Sequence, residues 1–165
     1  MARILMVAGG CRGRQLASEM IADGHAVRIT TRTEAGRAAI ESAGAECWIG
    51  TPARLATLRG ALDSVTIASW LLGAANGPEE EVRALHGSRL QLFMEQAIDT
   101  TVRGVVYEAC GPSVPDGALA EGERIAEEIA RRNAIPIGYL RSDPANHALW
   151  LKEAHGVVQG MLGRR

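Results

Sequence analysis

Residues 3–32 read RILMVAGGCRGRQLASEMIADGHAVRITTR, and this stretch decides the fold. Residues 3–8 are a short apolar run with isoleucine and valine, the composition of a strand buried on both faces of a parallel sheet. Gly9-Gly10-Cys11-Arg12-Gly13 then forms a glycine-rich turn. Leu16, Ala17, Met20 and Ile21 follow at helical spacing, and Gly24 stands where a helix stops. Residues 26–31 form a second strand. Strand, glycine turn, helix and strand in this order make a βαβ unit, whose two strands lie parallel.

The alternation continues outward from that unit. Thr33 caps a second helix that ends near Gly44, and residues 45–49 form a third strand. Thr51-Pro52 reads as a helix start, a capping hydroxyl followed by proline at the first helical position. Leu55, Leu58 and Leu62 give that helix an apolar stripe. Residues 65–72 form a fourth strand. Pro78 and Glu79-Glu80-Glu81 open one long helix, with the negative charges at its positive end. A fifth strand (104–109), a loop with two prolines (111–117), a helix (about 119–132) and a sixth strand (135–140) follow. Asp143-Pro144 starts a last helix. The pattern predicts an α/β fold: a three-layer, doubly wound parallel sheet of Rossmann type, strand order 3-2-1-4-5-6. No linker or repeat divides residues 1–165, so a single domain is expected.

Composition narrows the functional classes. The chain has 165 residues, 47% hydrophobic and 22% charged, with a net charge of −1. That balance gives no field to draw it to nucleic acid or to an acidic membrane surface. No run reaches membrane-spanning length, and the N-terminus lacks the pattern of a signal peptide. Cys11, Cys47 and Cys110 are widely spaced, without a CxxC pair. They read as reduced thiols, and a cytoplasmic location is expected. The four histidines do not cluster, so no metal site is expected.

The glycine turn is the candidate nucleotide site. A pyrophosphate at a helix N-terminus needs a tight turn and an approach free of Cβ atoms. Counting back one helix length from Gly24 puts Gly13 at the third glycine of GxGxxG and Gly10 at the second. Ala8 then stands at the first, with Gly9 beside it. Cofactor choice is read at the end of the second strand. An acid there would hold the ribose hydroxyls of NAD. Here the segment is Thr30-Thr31-Arg32-Thr33, with no acid before Glu34. The planar fork of Arg32, flanked by Thr31 and Thr33, suits a 2′-phosphate. Arg12 and Arg14 are added candidates. NADP(H) is therefore the expected cofactor, with NAD as the alternative.

This combination resembles the atypical short-chain dehydrogenase/reductase group, especially its NmrA-like NAD(P)-binding members. The residues that carry the likeness are Gly9-Gly10-Cys11-Arg12-Gly13, Gly24-His25-Ala26-Val27, Arg32, and Val105-Val106-Tyr107 before Glu108-Ala109-Cys110-Gly111. The resemblance, with the rule that ligands lie at strand C-terminal ends, implies further cofactor contacts. These are Thr51 after the third strand, Leu71, Leu72 and Gly73 after the fourth, and Cys110 and Gly111 on the nicotinamide side. Two departures stand out. Gly50-Thr51-Pro52 occupies the place of the family's usual aspartate near adenine, and the chain stops soon after the sixth strand, where many members continue.

Short-chain dehydrogenases generally use Tyr-x-x-x-Lys, and neither Tyr107 nor Tyr139 has a lysine four residues on. No catalytic residue is assigned. Ser113 is a candidate for holding a substrate carbonyl and Cys11 for redox sensitivity, each against a plainer reading as a loop or turn residue. Trp48, Trp70 and Trp150 read as core or interface anchors. The last helix carries Leu149, Trp150, Val157, Val158, Met161 and Leu162, enough apolar surface to close the sheet edge or to form a homodimer contact. Two functions stay open: an NADPH-dependent oxidoreductase acting on a small carbonyl or quinone, and a non-catalytic NAD(P)(H)-binding redox sensor or partner-binding module. A domain for another nucleotide or a methyl donor is a third, weakened by Arg32 where a ribose-binding acid would stand.

Overall fold

A computed structural model describes residues 1–163. Six strands, β1 (Arg3–Ala8), β2 (Ala26–Thr31), β3 (Glu46–Ile49), β4 (Ile67–Leu71), β5 (Gly104–Glu108) and β6 (Ile137–Leu140), form one parallel sheet. Their order is β3-β2-β1-β4-β5-β6, as the alternation of elements predicts. Successive side chains point to opposite faces of the sheet. In β1, Leu5 and Val7 join Ala68, Trp70, Val105 and Tyr107 in one core, while Ile4 and Met6 join Ile67, Leu71 and Val106 in the other. Each of these large apolar side chains contributes roughly 1.5–3 kcal/mol by leaving water. The first core is roofed by α4 (Ser88–Ala97), α5 (Ala118–Arg132) and two 3-10 turns, Leu55–Leu58 and Gly60–Leu62. The second is roofed by α1 (Gly10–Ala22), α2 (Arg37–Ser42) and α6 (His147–Leu162).

Gly24 ends α1 as expected. Its φ of 94° is left-handed, and its N–H donates to Ile21 O at 2.9 Å while His25 N–H donates to Met20 O at 3.1 Å. A side chain there would meet the steric cost that glycine avoids.

Four expectations need correction. Thr33 makes no capping bond: a 3-10 turn, Glu34–Gly36, follows it, and α2 starts only at Arg37. The helix read at Thr51-Pro52 is not an α-helix, and its leucine stripe sits on the two 3-10 turns instead. Thr51 Oγ1 accepts from Ala53 N–H at 3.2 Å, and Thr57 Oγ1 donates to Arg54 O at 2.6 Å. The Trp48 indole donates to Thr57 O at 2.7 Å. These bonds take backbone groups that a helix would need. The stripe itself is buried: Leu55, Leu58 and Leu62 all lie in the first core.

The single long helix read after Pro78 is two helices, α3 (Glu79–Leu85) and α4, broken at His86-Gly87. His86 turns inward and is fully buried. The last helix starts at His147 rather than Asp143-Pro144, where a turn intervenes, and Asn146 caps it by accepting from Leu149 N–H at 3.3 Å. Trp150, Ala154, Val158 and Met161 of α6 are buried in the second core, and Leu149 is its one large apolar side chain left mostly exposed, at 58%. The helix uses its apolar face to cover the sheet.

Among the described residues, no helix is long and apolar enough to cross a membrane, and no group of three His, Cys, Asp or Glu side chains could hold a metal ion.

Candidate functional site

A cleft of about 860 Å³ lies over the C-terminal ends of β1, β2, β3 and β4. This is the side of a doubly wound sheet where ligands bind, and β1 beside β4 is its switch point. Of the residues singled out in the sequence, the cleft gathers Ala8, Gly9, Gly10, Arg12, Thr31, Arg32, Thr51, Leu71 and Leu72. Cys11, Gly13, Gly73, Cys110 and Gly111 do not line it.

The glycine turn is built by three consecutive left-handed residues: Ala8 at φ 66°, Gly9 at 101° and Gly10 at 57°. α1 begins directly at Gly10, so Cys11, Arg12 and Gly13 belong to its first turn. No side chain caps this helix start. The unsatisfied amides that every helix start carries therefore have no side-chain acceptor here. Gly9 packs against Gly13, where an added Cβ would come within 3.1 Å of Gly13 Cα. Gly10 is different: a Cβ there would meet nothing within 4 Å. Positive dipole, free amides and open space over Gly10 together fit a phosphate.

Arg12 takes a different place from the one expected. Its guanidinium is buried, donating through Nε to Glu108 Oε2 at 3.1 Å, through Nη2 to Glu108 Oε1 at 2.5 Å, and through Nη1 to Gly9 O at 3.0 Å. Its planar group also lies 5.1 Å from the Trp150 ring centre. Glu108 is fully buried and accepts two more bonds, from Gly73 N–H at 2.5 Å and from Trp150 Nε1 at 2.6 Å. One carboxylate thus ties together the first turn of α1, the loop after β4, the end of β5 and helix α6. From the sequence, Glu108 enters only within the family likeness, with no role assigned. A lone acid closing the apolar run of β5 was the available signal, since such a group stays buried only when paired.

The loops after β4 and β5 close on each other beside this carboxylate. A Cβ on Gly111 would run into the Gly73 carbonyl, and one on Gly73 would run into the Cys110 carbonyl. The Cys110 thiol is held above its ordinary value by burial. Both tyrosines are engaged elsewhere. Tyr107 is fully buried with its hydroxyl 2.7 Å from His86 Nδ1, and Tyr139 donates its hydroxyl to Glu127 at 2.6 Å. Burial pushes the ionisation of both phenols well above the usual range. Neither lines the cleft. Trp70 is an anchor: its indole donates to Leu85 O at 2.9 Å and its ring packs on Phe93.

The cleft wall also carries charge that the sequence reading only partly located. Arg14, Arg32 and Arg89 line it, and among the described residues none of the three is in an ion pair. Glu80 and Glu81 of α3 and Asn76 line the same cleft. Arg89 was not singled out in the sequence because its place depends on the break at His86-Gly87, which periodicity did not show.

No known family's sequence profile matches this chain, and no curated protein matches it. Solved structures do. BdcA (YjgI) from E. coli superposes over 98% of this chain and 90% of its own, with a TM-score of 0.71 and 14% identity. The Citrobacter sp. triphenylmethane reductase complexed with NADP(H) matches over 84% of this chain and 49% of its own, TM-score 0.60, 19% identity. A mutant UDP-glucuronic acid 4-epimerase from Bacillus cereus, in complex with UDP-4-deoxy-4-fluoro-glucuronic acid and NAD, matches over 84% of this chain and 55% of its own, TM-score 0.62, 12% identity. The chain spans about half the length of the two cofactor-bound structures. At these identities the likeness establishes a shared Rossmann fold.

Proposed function

We propose that this chain belongs to the atypical short-chain dehydrogenase/reductase group and binds NADP(H) in the cleft over β1–β4. The observation that carries this reading is the uncapped start of α1 beneath open space at Gly10, with Arg14 and Arg32 lining the same cleft and, among the described residues, in no ion pair. The amides of the α1 first turn would take the pyrophosphate. Arg32, with Arg14 and Thr31 beside it, would take the 2′-phosphate, and no acid of β2 competes for it. Arg12 would contribute its backbone N–H, since its side chain is committed to Glu108. Thr51, Leu71 and Leu72 would line the remaining wall. The NADP(H) and NAD of the two cofactor-bound structures support a nicotinamide dinucleotide.

Bound NADPH would supply a hydride to a small carbonyl or quinone, and that reaction also needs a proton donor. Tyr107 and Tyr139 are both held away from the cleft, which favours the second reading, a redox sensor or partner-binding module that reports on NADP(H). Calorimetric titration of NADPH, NADP, NADH and NAD into wild-type protein and Arg32→Ala tests the binding claim. The expected result is tighter binding of the phosphorylated pair, lost in the variant. Absence of binding by all four would sink it. NADPH oxidation against a panel of quinones and aldehydes separates enzyme from module.

A further inference from the structure

Resting on that reading of the cleft, we infer that the chain recognises the 2′-phosphoadenosine diphosphate half of the dinucleotide and leaves the nicotinamide half without a seat. A doubly wound sheet offers two mononucleotide sites, one over β1-β2-β3 and one over β4-β5-β6, and a dinucleotide spans both across the switch point. The cleft here is one-sided. It is lined from the ends of β1, β2 and β4, the segment after β3 and helices α1, α2, α3 and α4, and no residue beyond Arg89 lines it.

The second site is filled by the protein itself. Glu108, at the end of β5, is fully buried, and its carboxylate is bound by Arg12, Gly73 N–H and Trp150 Nε1. The loops that would part around a nicotinamide ring are in backbone contact, Gly111 against the Gly73 carbonyl. Opening them would strip the Gly73 N–H from a buried carboxylate, an expensive change in a low-dielectric interior. The first site has what the second lacks: free helix amides, open space and uncommitted arginines. The ligand class is then any molecule carrying a 2′-phosphorylated adenosine with a 5′-diphosphate. The nicotinamide of NADP(H) would remain in water.

The test is competition calorimetry on the intact chain with NADPH, NADP, 2′-phospho-ADP-ribose and nicotinamide mononucleotide, with NADPH fluorescence recorded alongside. The expected result is that 2′-phospho-ADP-ribose binds within about threefold of NADP and NADPH, and that nicotinamide mononucleotide does not bind. The NADPH emission should stay that of the free cofactor. NADP(H) binding tenfold or more tighter than 2′-phospho-ADP-ribose, or a blue-shifted and brightened emission, would overturn the inference while leaving the cofactor site intact. Failure of all the adenine ligands would overturn both, which the same titrations reveal.

Discussion

Arg12 and Glu108 stand 96 residues apart in sequence and meet through two hydrogen bonds, at 3.1 and 2.5 Å, with side-chain exposures of 8% and 0%. Glu108→Ala would strand the guanidinium without a counter-charge and leave the Gly73 N–H and the Trp150 indole without an acceptor. Breaking a buried pair from one side costs about 3–5 kcal/mol. Urea unfolding should therefore show a large drop in the midpoint. The double variant Arg12→Met/Glu108→Gln removes the stranded charge and restores an acceptor, so it should be more stable than Glu108→Ala alone. A loss under about 1 kcal/mol in Glu108→Ala would place this pair with ordinary surface bridges instead.

Arg32 and Arg14 make a different kind of prediction, because both are uncommitted in the fold. Arg32 is exposed, and among the described residues neither Arg32 nor Arg14 is in an ion pair. Arg32→Ala should leave the melting temperature nearly unchanged, as surface substitutions usually do. It should weaken NADPH binding by about tenfold or more, the effect of one lost charge-assisted hydrogen bond to phosphate. NADH binding should not change. Equal weakening of both cofactors would mean that Arg32 acts on something other than the 2′-phosphate.

The sheet order was legible because buried parallel strands announce themselves as apolar runs and the glycines at residues 9, 10 and 24 mark the turns between them. β1 shows this best: Ile4, Leu5, Met6 and Val7 are all fully buried, so there is no polar face to confuse the reading. What could not be read were features that depend on partners distant in the chain. His86 breaks a helix because its ring finds Tyr107 and Leu72, and Arg12 turns inward because Glu108 waits at the end of β5. The segment after Thr51 carries the right leucines for a helix, yet Thr57 and Trp48 claim its backbone groups. Local pattern gives burial correctly at these positions and hydrogen-bond partners poorly.

Gly10 separates space needed by the fold from space needed by a ligand. Its φ of 57° is within reach of alanine at modest strain, and an added Cβ would touch nothing within 4 Å. Left-handed backbone costs a non-glycine residue roughly 1–2 kcal/mol. Gly10→Ala should thus lower stability by no more than about that amount, while the methyl occupies the approach to the α1 amides. NADPH affinity should fall by more than tenfold. An unaltered affinity with the same small stability loss would move the pyrophosphate away from this turn.

His86 gives the fold a pH dependence whose sign follows from its bonds. Nε2 lies 3.2 Å from Leu72 O and Nδ1 lies 2.7 Å from the Tyr107 hydroxyl. A carbonyl only accepts, so Nε2 carries the proton, Nδ1 accepts from Tyr107, and the folded ring is neutral. Burial holds its ionisation below the ordinary histidine value. The unfolded chain binds a proton at His86 near pH ~6.5 and the folded chain does not. Stability is therefore complete above that value and falls as the pH drops below it toward the depressed folded value, by at most about 1.4 kcal/mol per pH unit. Asp23 acts in a separate window. Its bonds to His155 and Gln159 lower its ionisation from 3.8, so its contribution is lost only as the solution becomes strongly acidic. Urea unfolding at pH 7.5 and 5.5 should show wild type losing stability across this interval and His86→Gln losing less. Tyr107→Phe should cost about 1 kcal/mol at neutral pH through the missing donor to Nδ1, with NADPH binding unchanged because the hydroxyl faces the core. Identical pH slopes in wild type and His86→Gln would assign the titration to another group.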